Sequence, residues 1–473
     1  MLLFNYYFEF PEIFPSLQFT SIYFLLFLLA VSVALFFIKH HFIRNIIILI
    51  ANLFFIWTFS QNFYYVIVAC FYCAYGYIAS IIINRYYRNK ILLLILDIIP
   101  IIALIYFKTV LLPTYSIVVP LGISFYLLRL IWYLNYVCYG KIELQKNIIY
   151  FSNYLLFFPS FISGPIENPK HFIEQIKKDE YISYSSLSKG WMRLLYGVFE
   201  KVVICDYFGL IVNRLLENAE VSGFGVLVGI FLYSFQIYLD FDSYSNIAIG
   251  SASLFNIDLN ENFKSPYLAV NIKDFWSRWH ISLSTWLKEN IYIPLGGNRF
   301  GDLRKAINIL IVFIVSGLWH DFAIHYLIWG IMHALLRIAE DFIESKINKN
   351  ILNNFFIKLI RICINFIIVT FVWLIFKYDS FSSIFNVLGR LFTPTNLSLV
   401  ELLTNHELIW LEILIVFVVV LDIIKNKINI LRYLGHPANV LRFAFYLVFI
   451  VIFLIFGIYG GSFEATDFIY RWF

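Results

Sequence analysis

The stretch Ala306-Ile-Asn-Ile-Leu-Ile-Val-Phe-Ile-Val-Ser-Gly-Leu-Trp-His320-Asp321 decides how this chain is to be read. Lys305 marks the aqueous boundary just before it. From Ala306 to Trp319 the residues are almost all apolar, and as a helix rising about 1.5 Å per residue they descend roughly 21 Å. His320 then lies well inside a hydrocarbon core about 30 Å thick. An ionisable group at that depth is costly, which makes it a functional candidate. Asp321 adds a second expensive group, so the helix is expected to break here into a hydrated or protein-lined cavity rather than face lipid.

The remainder of the chain agrees with a bilayer as solvent. Of 473 residues, 61% are hydrophobic and 14% charged, against roughly 45–50% and about 25% in soluble domains. A soluble fold and a disordered chain are both excluded on that ground. The net charge of +5 is a mild excess with no long basic tract, which argues against nucleic acid as a partner. Of the five cysteines, Cys70 and Cys73 have CxxC spacing, but they sit mid-helix among apolar residues and read as buried thiols.

Apolar runs at 17–38, 45–59, 62–84, 91–107, 116–138 and 148–163 are each about long enough to cross the core as a helix. Further runs near 191–212, 223–240, 306–319, 322–336, 354–377, 408–424 and 438–461 are in part short or broken. About eleven spans are expected, with the interrupted ones forming re-entrant structure around a cavity. Basic residues follow the first, third and fifth runs (Lys39, Arg44; Arg85, Arg88, Lys90; Lys141, Lys146), whereas the connector at 108–115 holds only Lys108. The positive-inside rule therefore places the N-terminus outside and the basic stretch 264–304 in the cytoplasm. The first eleven residues carry no Lys or Arg, so no cleavable signal is visible and the first span is expected to stay as an anchor. No repeat or soluble linker interrupts the chain, which reads as one integral membrane domain over 1–473.

Other chemistries fit the histidines poorly. On a continuous helix His325 falls roughly 140° from His320, and His333 is also off its face, so no i, i+4 metal pair forms. A Ser-His-Asp arrangement lacks a GxSxG elbow, and Ser316 with Gly317 reads as a small-residue packing contact. The segment from Asn271 to Lys288 interleaves Trp276, Trp279 and Trp286 with charges and reads as one amphipathic interfacial helix, its tryptophans at headgroup depth. Within it His280 and Arg278 could orient an anionic or thioester-linked donor. A transporter or flippase would also use broken helices and a mid-membrane histidine.

The strings Phe157-Phe-Pro-Ser-Phe-Ile-Ser-Gly-Pro-Ile-Glu167, Gln236-Ile-Tyr-Leu-Asp-Phe-Asp-Ser-Tyr-Ser-Asn246, Phe275-Trp-Ser-Arg-Trp-His-Ile-Ser-Leu-Ser-Thr-Trp286, Tyr292-Ile-Pro-Leu-Gly-Gly-Asn-Arg299 and Ser316-Gly-Leu-Trp-His320 occur in that order. Together with Pro120-Leu-Gly-Ile-Ser-Phe125 they resemble the membrane-bound O-acyltransferase family over about residues 118–335. The resemblance is greatest to the bacterial branch of alginate and peptidoglycan O-acetyltransferases, with teichoic-acid D-alanyl transfer proteins more distant. It implies an all-α ring of tilted and amphipathic helices around a thin core, pierced by a tunnel from a cytoplasmic donor site to an external acceptor site. His320 falls on the family's catalytic histidine and His280 on its second motif histidine. Asn271, Asp274, Arg278, Trp319 and Ser316 are the further candidates for contact with substrate. The chain departs from the branch at Asp242, Ser243 and Asn246, where Ser, Gly and Asp are usual, and at Arg129, where Gln is common.

The chemistry implied is acyl transfer to a hydroxyl, with the neutral imidazole of His320 as base. The resemblance suggests acetyl-CoA or an equivalent cytoplasmic acyl thioester as donor, with no permanently bound cofactor and no metal. No hydrolase-like domain follows residue 461, so a separate extracytoplasmic acetyltransferase is expected to receive the acyl group and modify a cell-envelope polysaccharide. The setting would be the cytoplasmic (inner) membrane, in contact with its lipid.

Overall fold

A computed structural model of the protein describes residues 16–111, 122–394, 399–428, 430–436 and 440–457. Pro120 and Leu121, residues 112–115 of the 108–115 connector, the N-terminal residues to 15 and those after 457 lie outside this set. Among the described residues every regular element is helical. The apolar runs supply the helices, and polar side chains start them. Asn89 accepts from the Leu92 amide, Asn147 from that of Ile149, and Thr404 with Glu407 forms a reciprocal capping box.

By length and composition, five helices could cross a bilayer: His41–Ser60, Tyr64–Arg85, Lys90–Thr109, Phe224–Ser253 and Phe355–Lys377. Shorter apolar helices cover Ile22–Phe36, Ile123–Cys138, Ile148–Ser160 and Leu441–Phe456. The helices that position the site are numbered here in chain order. They are α1 (Lys90–Tyr106), α2 (Ile123–Cys138), α3 (Phe224–Ser253), α4 (Ile272–Arg278), α5 (Ile281–Leu287), α6 (Gly301–His320), α7 (Ile324–Glu344), α8 (Phe355–Lys377) and α9 (Asn405–Lys427).

Interrupted structure appears where the sixth apolar run ends. Residues 157–167 are all buried, yet after Leu156 they make only a short 3₁₀ turn and irregular chain. Irregular backbone at such depth persists only where protein groups satisfy it. Here the Arg129 guanidinium donates to Leu155 O at 3.2 Å, Ser160 O at 2.6 Å and Ser160 Oγ at 2.7 Å. Asn52 Oδ1 accepts from the Phe158 amide at 2.9 Å. Arg129, one of the departures noted above, is thus a clamp on this buried turn.

Two expectations are corrected. The 271–288 segment is not one interfacial helix, because α4 and α5 are separated by Trp279 and by His280, whose φ is +43°. Trp279 and Trp286 are buried in the hydrophobic core instead of anchoring at the surface, and Trp276 is half-buried against His333. The CxxC pair also divides: Cys73 is buried, whereas Cys70 is exposed on the outer face of its helix.

Candidate functional site

The hairpin of α6 and α7 brings His320 into the core through two glycines. A Cβ on Gly317 would lie 2.3 Å from Tyr326 O, and one on Gly330 would lie 2.3 Å from Phe313 O. Only hydrogen at both positions lets the two backbones touch. The contact carries the end of α6 against aromatic residues of α7 and α8. The His320 ring centre is 5.3 Å from that of Trp329, 5.2 Å from Phe376 and 4.9 Å from Trp319, and the residue is 2% exposed.

Helix α6 stops at His320 because Asp321 is fully extended, with φ −160° and ψ 158°. Asp321 is half-exposed, so the expected second buried charge is absent there. The helix end leaves carbonyls without intrahelical donors. Lys108 meets one of them, its Nζ donating to His320 O at 3.0 Å. Lys108 is itself buried, not a loop residue as its place in the 108–115 connector suggested.

His280 approaches the same aromatic cluster from the break between α4 and α5. Its Nδ1 lies 3.2 Å from Asn262 Oδ1, which also accepts from Ser282 Oγ at 2.9 Å. A carbonyl oxygen at that position calls for a proton on Nδ1 and leaves the lone pair on Nε2. Nε2 is buried and has no hydrogen-bond partner among the described residues. Trp319 joins the two histidines, with ring centres 6.2 Å from His280 and 4.9 Å from His320. The Trp319 Nε1, the Ser316 Oγ, the Trp329 Nε1 and the His333 Nε2 likewise have no partner. Beyond Ser282 opens a surface cavity of about 630 Å³ lined by Trp132, Asn168, Lys170, His171 and Asn260.

The other candidates lie along α4. Asn271 caps that helix, accepting from the Asp274 amide at 2.7 Å and donating to Glu344 Oε1 at 2.8 Å. Asp274 accepts from Arg278 Nε at 2.7 Å and from the Val270 amide at 3.1 Å. Arg278 reaches Asn426 Oδ1 at 2.8 Å on α9. Their polar groups are therefore engaged in holding α4, which delivers His280, while Trp319 packs between His320 and His280, with Ser316 one turn before His320 on α6. His333 is fully buried and 4.9 Å ring to ring from Trp329, whereas His325 lies 3.8 Å from Asp379. The described residues place His40, His41 and Asp179 close enough to share an ion, but His40 Nδ1 accepts from the Phe42 amide and His41 pairs with Asp179 at 2.6 Å.

Sequence reasoning missed Lys108 and Asn262. A signal for Lys108 exists: Leu93, Leu96, Pro100 and Leu104 form the buried stripe of α1, and Lys108 continues it one turn on. Asn262 carries no such signal, because it lies in irregular chain 18 residues from the histidine it orients.

Over 286 residues the chain is 32% identical to a protein named "Probable alginate O-acetylase AlgI" of Pseudomonas fluorescens, covering 60% of this chain and 57% of that protein. It is 33% identical over 316 residues to a peptidoglycan O-acetyltransferase of Helicobacter pylori, covering 61% and 60%. A teichoic acid D-alanyltransferase of Bacillus subtilis is 28% identical over 284 residues, covering 57% and 71%. The match thus spans about three-fifths of the length of the first two relatives. Residues 143–385, just over half of the chain and including α3 to α8, match the family model for membrane-bound O-acyltransferases. With its membrane-length helices and its ordered motifs around His280 and His320, the chain is a multi-pass membrane protein that belongs to the membrane-bound O-acyltransferase family.

Proposed function

We propose that this chain is an O-acyltransferase that moves an acetyl group from a cytoplasmic thioester across the membrane to a hydroxyl, for O-acetylation of a cell-envelope polysaccharide such as peptidoglycan or an alginate-like polymer. The observation that carries this reading is His320 at 2% exposure on the end of α6, joined through Trp319 to the free Nε2 of His280. In this mechanism His320 takes the proton of the acceptor hydroxyl as its oxygen attacks the thioester carbonyl. The tetrahedral intermediate then expels the thiolate, which recovers that proton, leaving an ester and a free thiol. His280 contacts the donor arriving from the side of the 630 Å³ cavity next to Ser282. The receiving hydroxyl belongs to a separate extracytoplasmic acetyltransferase, and acetyl-CoA or a similar acyl thioester is the donor. A phosphate-bearing donor would be costly to move through hydrocarbon, so only the acyl arm enters the protein.

The test is a proteoliposome assay with labelled acetyl thioester inside and acceptor outside. Product should form across the bilayer, and His320→Ala should abolish it while donor binding remains. Product only when donor and acceptor share a compartment would overturn trans-bilayer transfer, and turnover by a folded His320→Ala protein would overturn the base assignment. D-alanyl transfer is the second reading, favoured by the Bacillus subtilis relative. Supplying acetyl and D-alanyl thioesters side by side decides between them. A transporter or flippase would leave the thioester intact, whereas an acyltransferase should hydrolyse it slowly when no acceptor is present.

A further inference from the structure

A lysine near the end of a membrane-spanning helix ordinarily extends its ammonium to the headgroups. Lys108 does not: it is 7% exposed, on the protein-facing stripe of α1, in the widened π-helical turn Phe107–Leu111 that follows that helix. The helix faces lipid on its other side, where Leu94 and Ile102 are exposed. Burying an ammonium there is expensive, and a leucine in its place would continue the stripe at less cost. The single hydrogen bond that Lys108 makes among the described residues crosses 212 positions of sequence to His320 O at 3.0 Å.

That carbonyl is the last of α6, where the aligned peptide dipoles leave partial negative charge and no intrahelical donor. The next residue has already turned to extended backbone, and the cap amide of Asp321 reaches Gly317 O only at 3.4 Å. The carbonyl and the imidazole belong to the same residue. Fixing the carbonyl fixes the terminal peptide plane, and with it the direction in which Cα–Cβ carries the ring. Without the ammonium, the helix end is free to fray by one residue, which would displace the ring.

We propose that Lys108 is a positioning residue for His320, holding the imidazole in its reactive orientation through the backbone. The inference rests on His320 being the base. It assigns part of the site to a helix outside residues 143–385, so that the N-terminal region completes the catalytic geometry.

The experiment uses the full-length protein in proteoliposomes, with the acetyl thioester inside and acceptor outside. Lys108→Met removes the charge at nearly constant volume, and Lys108→Gln is the second variant should Met perturb insertion. Because misplacing a catalytic group by about 1 Å can cost on the order of 100-fold, kcat should fall about 10- to 100-fold. Donor KM should stay within about twofold, since the ammonium touches the histidine and not the donor. Lys108→Arg, which keeps a donor at this position, should recover part of the lost kcat in a way that packing loss alone would not. Wild-type kcat in both the Met and Gln variants would overturn the proposal, as would a loss appearing only in donor KM. His320→Ala, run alongside, separates the two ideas: if it stays active the base assignment fails, whereas an inactive His320→Ala beside a fully active Lys108→Met sinks the lysine's role alone.

Discussion

Two regions of this protein gather costly polar groups and treat them in opposite ways. Between α3, α9 and the Tyr184–Phe199 helix, Lys425 Nζ lies 3.0 Å from Asp242 Oδ2 and 3.0 Å from the Tyr196 hydroxyl. Tyr196 donates to Glu200 Oε1 at 3.0 Å, Asn246 donates to Glu200 Oε2 at 2.9 Å, and Arg193 binds Glu261 and Asn246. Every one of these groups has a partner. Around His320 and His280 formal charge is sparse, while His280 Nε2, Ser316 Oγ, Trp319 Nε1, Trp329 Nε1 and His333 Nε2 have no hydrogen-bond partner among the described residues. In the first region polar capacity is used within the fold, joining α9 to the core; in the second, several buried polar atoms are left without a hydrogen bond among the described residues. The departures at Asp242 and Asn246 fall in the ionic network.

The comparison predicts different kinds of damage. The largest effect belongs to His320→Ala, which should cut transfer about a thousandfold or more through loss of general-base catalysis, with thermal stability close to that of the wild type. Rates measured under saturating donor, beside a melting curve in detergent, check both halves. Lys425→Met should do the reverse. Leaving Asp242 and Glu200 without their cation should lower stability by about 3 kcal/mol, while the specific activity of the folded fraction stays near that of the wild type. A Lys425→Met protein of normal stability and no activity would erase the distinction between the regions.

Trp329→Phe is smaller and sharper. The lost N–H has no partner among the described residues, but the smaller ring leaves a gap in a fully buried aromatic cluster, so stability should fall by about 1–3 kcal/mol. If the Trp329 N–H serves substrate, kcat/KM should fall several-fold, and an unchanged value would remove Trp329 from the site. The smallest effect concerns His171, on the rim of the 630 Å³ cavity. Its hydrogen bond to Glu167, 3.1 Å away, raises its pKa above the usual value for histidine, with burial acting against this. A raised folded-state pKa stabilises the protein below the unfolded value, near 6.5, and the benefit is lost as pH rises through the folded value. His171→Gln should thus lower stability at pH 5.5 and leave it nearly unchanged at pH 8.5. Because the ring is partly solvent-exposed, a few tenths of a kcal/mol, reduced by salt, is the scale to expect.

The pattern of substitutions that would narrow the path to His320 changes once packing is known. Ser316 and Gly317 look equivalent in sequence as small residues before the histidine. Any side chain at Gly317 would strike the Tyr326 backbone, so its replacement tests the α6–α7 contact. Ser316 offers the cleaner position, because its buried hydroxyl has no partner to lose.

By itself, the sequence determined that the chain lives in a membrane, where most of its apolar helices lie, and that His320 closes one of them. These follow from composition, from apolar runs as long as the bilayer is thick, and from one ionisable group placed at the end of such a run, all of which are local. Tertiary structure alone decided that Trp279 and Trp286 are core residues, that His280 turns inward on a left-handed backbone, and that Asn262 sets which of its nitrogens is free. It also decided that Lys108 and His320, 212 residues apart, share a hydrogen bond, and that Arg129 supports a buried break in the backbone. Hydrophobic periodicity encodes which face of a helix is buried, but not which distant helix will cover it. The partner of a buried polar group is fixed only when the packed helices bring donor and acceptor within about 3 Å of each other.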